Sequence, residues 1–432
     1  MNARKAVAVA VAIGVAWLPA TARGAGYSIY EQGAAVLGMA GAGVAWGNDA
    51  SAVFYNPAAL TRLDGKTRAS LGSTLLSPVT SFAGMAPYPG YGVTEEMEHQ
   101  QFVIPSGYLA HRYGSGWATG LGFNAPYGLG VKWKNPLTFS GRYIVTRADL
   151  KAANGMAVAA YSFSPQLSAG AGADLMLAKV KLQRRQQAVA PGGGGGVVDV
   201  AEVDLSSDYD QGWGWNAALA YAPTSQWKVA GTYRSKVVVD AKGHVDFTQI
   251  PTGDPVFDAN VAAGLPPDQG ANTVLRFPAT WTAAVAWLPT EAWTIEGDFV
   301  YFEWSVFRDL PIRFVQTPAA NQTIVENYRD ARQVRFGAEH RLARYTYRLG
   351  YYYDQAAAPD PSVSPILPDA PRHGATLGAG FGLGKDRAWT LDLYELALFV
   401  KKRSTNGVER DGYDGEYKSF VNAFGASLGY RW

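Results

Sequence analysis

The 432-residue chain contains no cysteine, which excludes disulfides, thiolate metal sites and cysteine nucleophiles. It also lacks a charge excess, because 38 basic residues balance 36 acidic ones without forming a basic run. A nucleic-acid partner is therefore not expected. Beyond the N-terminus, no stretch approaches the roughly 20 continuous apolar residues that a transmembrane helix needs, which excludes a helical membrane protein.

Glycine and aromatic residues, by contrast, are abundant. The chain has 49 Gly, 24 Tyr, 18 Phe and 13 Trp, yet its mean hydropathy is only −0.09. A membrane β-barrel has this balance, because aromatic side chains gather at its two membrane interfaces while its inner surface stays small or polar.

The first residues have the pattern of a secretory signal. Arg4 and Lys5 precede an apolar stretch over residues 6–18, and Ala22-Arg23-Gly24 forms a small-x-small cleavage site. An uncleaved anchor helix is the alternative, but the stretch is shorter than the roughly 20 residues that span a membrane. We predict that residues 1–24 are a cleaved signal peptide.

The C-terminal residues show alternation with a period of two, which places successive side chains on opposite faces of a strand. One face is mostly small or charged. The other is mostly apolar and aromatic, and consists of Phe420, Asn422, Phe424, Ala426, Leu428, Tyr430 and Trp432.

The same alternation recurs along the chain after residue 62 and predicts about fourteen strands. Their connections alternate between short turns and long loops, as in bacterial outer-membrane barrels. We therefore predict an all-β fold, a transmembrane antiparallel β-barrel of about 14 strands over residues 63–432. The predicted strands cover about 66–82, 100–113, 116–131, 150–163, 166–185, 208–222, 226–248, 274–288, 292–306, 331–342, 344–354, 372–384, 387–400 and 418–432.

Residues 25–62 lack strand alternation and are rich in glycine. A barrel of this size leaves a water-filled bore unless something fills it, so we predict that this segment is a plug (hatch). Within it, Asn56, Pro57 and Ala58 form a motif in which Pro57 fixes φ and Asn56 can bond neighbouring backbone. We expect this motif to pin the plug to the wall. A disordered tail is the alternative reading.

The mature chain resembles the FadL/TodX (OMPP1) family of outer-membrane hydrophobic-compound transporters. The similar stretches occur in the family's order along the chain. They are Ala25-Gly26-Tyr27, Asn56-Pro57-Ala58, the run 124–129 with Gly141-Arg142-Tyr143, Tyr233-Arg234-Ser235, Trp304-Ser305 with Phe307, Pro368-Asp369, and Arg372-His373.

This resemblance implies a monomeric barrel with a helical plug that carries long-chain fatty acids or, alternatively, monoaromatic and other uncharged hydrocarbons, without energy coupling. It also implies a lateral exit at a kink in the third strand, which corresponds here to Pro126 to Gly128. Proline has no ladder donor and glycine bends a strand, so pairing is expected to fail there. The alternative is that Pro126 simply ends the strand.

The fifth predicted strand indicates a ligand site. Its alternation turns Leu175 and Leu177 towards lipid, and this places four other side chains inside the barrel. Apolar side chains beside one cation suit a carboxylate-bearing amphiphile, although the same residues could instead pack against a loop or the plug. The predicted inward residues are Met176, Val180, Leu182 and Arg184.

No catalytic, metal or cofactor site is predicted, because the five histidines are scattered and no nucleophile with a base is found. An outer-membrane enzyme would need such a constellation, and a general porin would need an open bore. The expected partners are a hydrophobic small molecule, outer-membrane lipid and lipopolysaccharide, and the barrel-assembly machinery. We expect the bacterial outer membrane as the location.

Overall fold

The computed structural model describes residues 26–190 and 196–432, so the predicted signal peptide over residues 1–24 lies outside the described residues. Fourteen long strands, numbered here in chain order, form the wall. They are β1 (Thr67–Gly84), β2 (Phe102–Arg112), β3 (Trp117–Lys132), β4 (Arg147–Ser162), β5 (Leu167–Val189), β6 (Asp210–Thr224), β7 (Trp227–Arg234), β8 (Thr280–Thr290), β9 (Trp293–Phe302), β10 (Ala331–Leu342), β11 (Tyr345–Asp354), β12 (Arg372–Leu383), β13 (Trp389–Val400) and β14 (Gly415–Arg431).

Each of these strands pairs antiparallel with the next, and the ring closes where β1 pairs with β14 from Arg68↔Arg431 to Gly84↔Gly415. Closure gives every wall strand a neighbour on both sides, which is what allows a sheet to cross a membrane. The predicted closed barrel of about 14 strands is confirmed.

Alternation of side chains sets which face of each strand is buried. On β5, Leu167 and Leu177 are exposed, whereas Ser168, Asp174 and Met176 are buried. The period-two pattern therefore assigns the outer and inner faces of this strand as expected.

Two predicted strands are each split in two. Residues 226–248 form β7 and a separate strand Val237–Gln249, and residues 274–288 belong to Gln269–Phe277 and β8. Pro278 lies at the second break, where it cannot donate to a ladder. The alternation of side chains continues through both breaks. For this reason the sequence analysis predicted one strand where the structure has two.

Shorter strands in the long connections form a small sheet that continues from the C-terminal half of β5. Val197–Ser207 pairs with β5 and with Val237–Gln249, which in turn pairs with Gln269–Phe277. We call this the loop sheet. The remaining short strands are Thr94–Glu96, Asp309–Phe314, Gln322–Val325 and Arg403–Ser404.

Helices are few and short. They are α1 (Ala34–Leu37), α2 (Ala52–Tyr55) and α3 (Pro255–Gly264), with 3-10 turns at Pro57–Arg62, Trp304–Val306, Pro318–Ala320 and Asp360–Ser362. Among residues 26–190 and 196–432, no helix has the length and apolar character to cross a membrane.

The N-terminal segment 26–62 lies against the inner face of the wall. Helix α1 contacts β12, β13, β14 and β1, and the turn Pro57–Arg62 contacts β2 to β6. Most of the segment is buried, and its side chains pack with those of the inner wall in separate apolar clusters.

Candidate ligand pathway

Polar groups of the wall hold the N-terminal segment through its backbone. The Glu296 carboxylate accepts hydrogen bonds from the N–H groups of Ala45 at 2.7 Å and Trp46 at 2.8 Å. On the neighbouring β10, Arg335 Nη1 donates to the Gly41 carbonyl at 3.1 Å. The Arg335 guanidinium is charged, so its hydrogen bond is stronger than a neutral one and helps to fix the position of the segment.

The Asn56-Pro57-Ala58 motif is buried. Asn56 Nδ2 donates to the Val44 carbonyl at 2.7 Å, and its Oδ1 accepts from the Ala58 N–H at 3.0 Å. The Ala58 carbonyl accepts from Ser168 Oγ of β5 at 2.9 Å. Asn56 thus joins two parts of the segment, while Ala58 makes the bond to the wall.

Glycine allows the segment to approach the wall closely. A Cβ added at Gly350 would stand 2.3 Å from the Met39 carbonyl carbon, and one at Gly378 would stand 2.7 Å from the Gly38 Cα. Because both obstacles are backbone atoms, a larger residue at either position would displace the segment.

β3 is kinked at Ala125 and Pro126. Its pairing with β4 passes from Asn124↔Asn154 directly to Tyr127↔Ala152, which leaves one extra residue on β3. Its pairing with β2 ends at Phe123↔Gly107. Because β3 continues to Lys132, Pro126 interrupts the strand rather than ending it.

The N-terminal segment supplies hydrogen-bond partners at the kink. The Ile29 N–H donates to the Pro126 carbonyl at 2.8 Å, and the Gly128 N–H donates to the Tyr27 carbonyl at 3.0 Å. Gln32 Nε2 donates to the Ala125 carbonyl at 2.9 Å. The backbone groups that β2 leaves unpaired are thereby satisfied without closing the wall.

A cavity of about 610 Å³ lies at this kink. Its lining includes the inward residues Tyr30 and Leu398 and also the outward residues Val103 and Pro105 of β2. It therefore extends from the interior through the wall between β2 and β3. We call it the wall cavity.

Arg372 is a cation that lines the wall cavity. It is not among the binding residues that the sequence predicted. Its Nε donates to Asp354 Oδ2 at 2.9 Å, whereas its buried Nη2 has no hydrogen-bond partner among the described residues. A buried donor without a partner is costly, so a ligand oxygen at Nη2 would relieve that cost. The only signal in the sequence was the family resemblance at Arg372-His373.

A second cavity, of about 80 Å³, lies under the loops. Val180 and Leu182 line it, as the alternation of β5 predicted, together with residues of distant connections. We call it the roof cavity. The distant lining residues that the sequence analysis did not assign to a ligand site include Leu275, Phe307, Leu310, Ile312, Ile324, Tyr328 and Ile366.

The other two predicted binding residues lie nearby without lining the roof cavity. Met176 is buried in the same apolar cluster. Arg184 lies further along β5, where its Nη1 donates to the Tyr143 carbonyl at 3.4 Å. Lys181, by contrast, lines the roof cavity, and its Nζ forms an ion pair with Asp204 at 2.8 Å.

Glu326 in the connection between β9 and β10 closes one side of the roof cavity. Its Oε1 lies 3.0 Å from Arg410 Nη1, which belongs to the connection between β13 and β14. Burial raises the pKa of Glu326 to about 7, although Arg410 acts in the opposite direction.

The two cavities adjoin. Five residues line both of them: Tyr27, Leu129, Asp149, Leu150 and Leu367. Tyr27 is held by its hydroxyl, which donates to the Arg276 carbonyl at 2.8 Å, and by edge contacts such as that with Trp304 at 4.6 Å between ring centroids. The N-terminal segment thus provides part of the partition between the cavities.

Comparisons with solved structures agree with this architecture. A FadL homologue of Pseudomonas aeruginosa is 21% identical, with a TM-score of 0.82 over 94% of this chain and 99% of that one. The toluene transporter TbuX of Ralstonia pickettii is 19% identical, with a TM-score of 0.69 over 93% and 99%. At these identities the likeness concerns the fold.

Sequence comparisons give the family. A long-chain fatty acid transport protein of Salmonella typhi is 26% identical over 87% of this chain and 88% of its own length. The protein of the same name in Escherichia coli K12 is 24% identical over 87% and 89%. The profile described as outer membrane protein transport protein (OMPP1/FadL/TodX) matches residues 15–432. The chain therefore belongs to the OMPP1/FadL/TodX family of outer-membrane transport proteins.

Proposed function

We propose that the protein takes up long-chain fatty acids passively through the roof cavity and the wall cavity, and releases them sideways between β2 and β3. The observation that carries this proposal is the wall cavity, whose lining joins the interior to the outward side chains of β2. An apolar ligand that leaves by this route enters the lipid without crossing water.

In this proposal residues 25–62 are the plug and residues 1–24 the signal peptide. The plug closes the direct route to the periplasm, and its backbone bonds to Glu296 and Arg335 keep it in place. One barrel contains the complete path, so the transport step needs a single copy and no catalytic group.

The carboxylate of the fatty acid binds at Arg372, whose Nη2 donor is available. Arg184 is a second position for the head group, reached earlier on the way in from the loops. Apolar side chains lie beside both arginines, so the alkyl chain can pack against them while the carboxylate binds the guanidinium. Met176, Val180 and Leu182 form the apolar wall beneath Arg184.

Small uncharged aromatic hydrocarbons are the second candidate ligands. The roof cavity favours them, because it is small and its cation Lys181 is already paired with Asp204. Growth of a deletion strain carrying this protein, on a long-chain fatty acid or on toluene as carbon source, separates the two. Growth restored on the fatty acid supports the main proposal, and growth restored only on toluene supports the second.

Deleting Pro126 tests the route. The deletion removes the extra residue of β3, so β3 can pair continuously and the wall cavity closes. Uptake should fall to the level of a strain without the protein, while the purified variant still binds ligand. Pro126→Ala keeps the strand length and is the matched control. Undiminished uptake by the deletion variant would show that ligand leaves elsewhere.

A further inference from the structure

Two lysines face each other on the outer surface of the barrel. Lys151 of β4 and Lys179 of β5 stand directly opposite in the ladder, and their strand neighbours Ala152 and Ala178 are buried on the inner face. Side chains in opposite positions of an antiparallel ladder are about 5 Å apart at Cβ, and like charges placed there repel each other. An anion between the two ammonium groups would remove this repulsion.

The protein itself does not supply that anion. Among residues 26–190 and 196–432, neither Lys151 nor Lys179 has a carboxylate oxygen within 4.0 Å. Lys179 Nζ instead lies 5.8 Å from the ring centroid of the exposed Tyr209. Four basic side chains nearby each have a carboxylate partner, and these ion pairs are Lys132 with Glu98, Arg147 with Asp149, Lys181 with Asp204, and Arg185 with Asp199. Two positive charges are thus available to a group outside the protein.

The two lysines lie just above the apolar belt of the wall. Along the outward face of β5, apolar side chains extend from Leu167 to Leu177, and Lys179 is the next outward residue. With a rise of about 3.3 Å per residue and a strand tilt of about 40°, this run spans about 25 Å, the height of the apolar band of an outer-membrane barrel. Exposed Trp213 of β6 lies at its upper end. The lysines therefore stand at the level of the head groups on the side of the long connections, which is the outer leaflet.

A shallow apolar groove runs down the wall below the lysines. Its sides are larger exposed residues, Leu121 and Phe123 of β3 on one side and Trp215 and Leu219 of β6 on the other. Its floor consists of small outward residues of β4 and β5, namely Ala153, Gly155, Ala157, Ala159, Ala169, Ala171 and Ala173. The groove selects no head group, but it gives acyl chains an apolar surface that leads up to the lysines.

We propose that Lys151 and Lys179 bind a phosphate group of lipopolysaccharide, the phosphorylated glycolipid of the outer leaflet. A phosphate monoester carries nearly two negative charges at neutral pH, so it matches two unpaired ammonium groups, whereas a fatty-acid carboxylate matches only one. Each lysine donates a charge-assisted hydrogen bond to the phosphate, and the acyl chains lie in the groove. Because Lys151 also lines the wall cavity, the bound lipid lies beside that cavity. The lipid site is separate from the ligand pathway and does not depend on the proposed function.

Binding of lipid A to the purified barrel in an uncharged detergent, measured by native mass spectrometry, tests the proposal. Lys151→Gln/Lys179→Gln is the test variant. Lys66→Gln/Lys385→Gln removes two exposed lysines from the periplasmic end and is the matched control. The test variant should bind lipid A with both phosphates at least about tenfold more weakly than the unmodified protein, because two charge-assisted hydrogen bonds are lost, and the control should bind normally. Equal binding by the two variants would overturn the proposal.

Other ligands identify the chemistry of the site. Lipid A without phosphates should bind the unmodified protein as weakly as phosphorylated lipid A binds the test variant. Inorganic phosphate should bind much more weakly than phosphorylated lipid A, since it makes no apolar contacts. Equally strong binding of inorganic phosphate would show a site for the free ion rather than for a lipid. If the test variant kept its affinity for lipid A but lost affinity for a long-chain fatty acid, the lysines would serve the transported carboxylate and the proposal would be wrong.

Discussion

The roof cavity and the wall cavity share five lining residues but differ in size and in the part of the barrel that each one reaches. The roof cavity is about 80 Å³, mostly apolar although Lys181 and Glu326 line it, and covered by connections between distant strands. The wall cavity is about 610 Å³, contains Arg372 and reaches the outward face of β2. A site under the loops can receive a ligand from outside, whereas a site that reaches the outward face of β2 can release it into the lipid. The difference indicates a direction, from the loops to the lipid.

Removing the Tyr27 side chain, which separates the two cavities, should have the largest effect on the difference between them. Tyr27→Ala deletes a buried aromatic with several ring contacts, and should cost about 3–5 kcal/mol of local packing free energy while joining the cavities. Ligand dissociation, measured by fluorescence with a labelled fatty acid, should become faster. Tyr27→Phe keeps the ring and should lose only its hydrogen bond. Equal dissociation from both variants would mean that the cavities already exchange freely.

The role of the buried cation Arg372 in the wall cavity can be tested next. Arg372→Met combined with Asp354→Asn removes the cation without leaving its partner as an unpaired buried charge. Fatty-acid affinity should fall by about ten to 150-fold, because a charge-assisted hydrogen bond contributes about 1.5–3 kcal/mol. Calorimetry with a fatty acid and with an alkane of similar length distinguishes the roles. An equal loss for both ligands would show a structural role for Arg372.

The stability of the loops that cover the roof cavity should depend on pH. The folded-state pKa of Glu326 is raised to about 7, above its usual value, so its contribution to stability is present at low pH and is lost as the pH rises through 7. Between pH 5.5 and 7.5 the loops around Glu326 should lose about 2 kcal/mol of free energy of local unfolding. Hydrogen exchange of residues near Glu326 measures this. Glu326→Gln should remove the pH dependence, and a dependence that survives this substitution would point to another group.

The smallest effect is expected at Arg184. It lines neither cavity and already donates to the Tyr143 carbonyl, so Arg184→Ala should weaken fatty-acid binding by less than the change at Arg372. The same calorimetric titration compares the two. A larger loss at Arg184 than at Arg372 would place the head group near the loops and reverse the assignment of the cavities.

The sequence by itself determined the barrel. Alternation is a local property, since each residue faces the side opposite to its neighbour, and it gave the faces of β5 and most strand positions. Alternation predicted the wrong strand boundaries at residues 226–248 and 274–288, because strands of the loop sheet alternate just as wall strands do. Periodicity does not identify a strand's pairing partner.

Only the tertiary structure decided which groups contact the side chains on the two faces of the strands. Val180 and Leu182 were predicted to face inward, but the roof cavity also needs Phe307 and Tyr328, which long connections bring from elsewhere in the chain. Arg372 is distinguished by a buried donor that has no hydrogen-bond partner among residues 26–190 and 196–432. These properties depend on contacts between residues far apart in sequence, which no local pattern records.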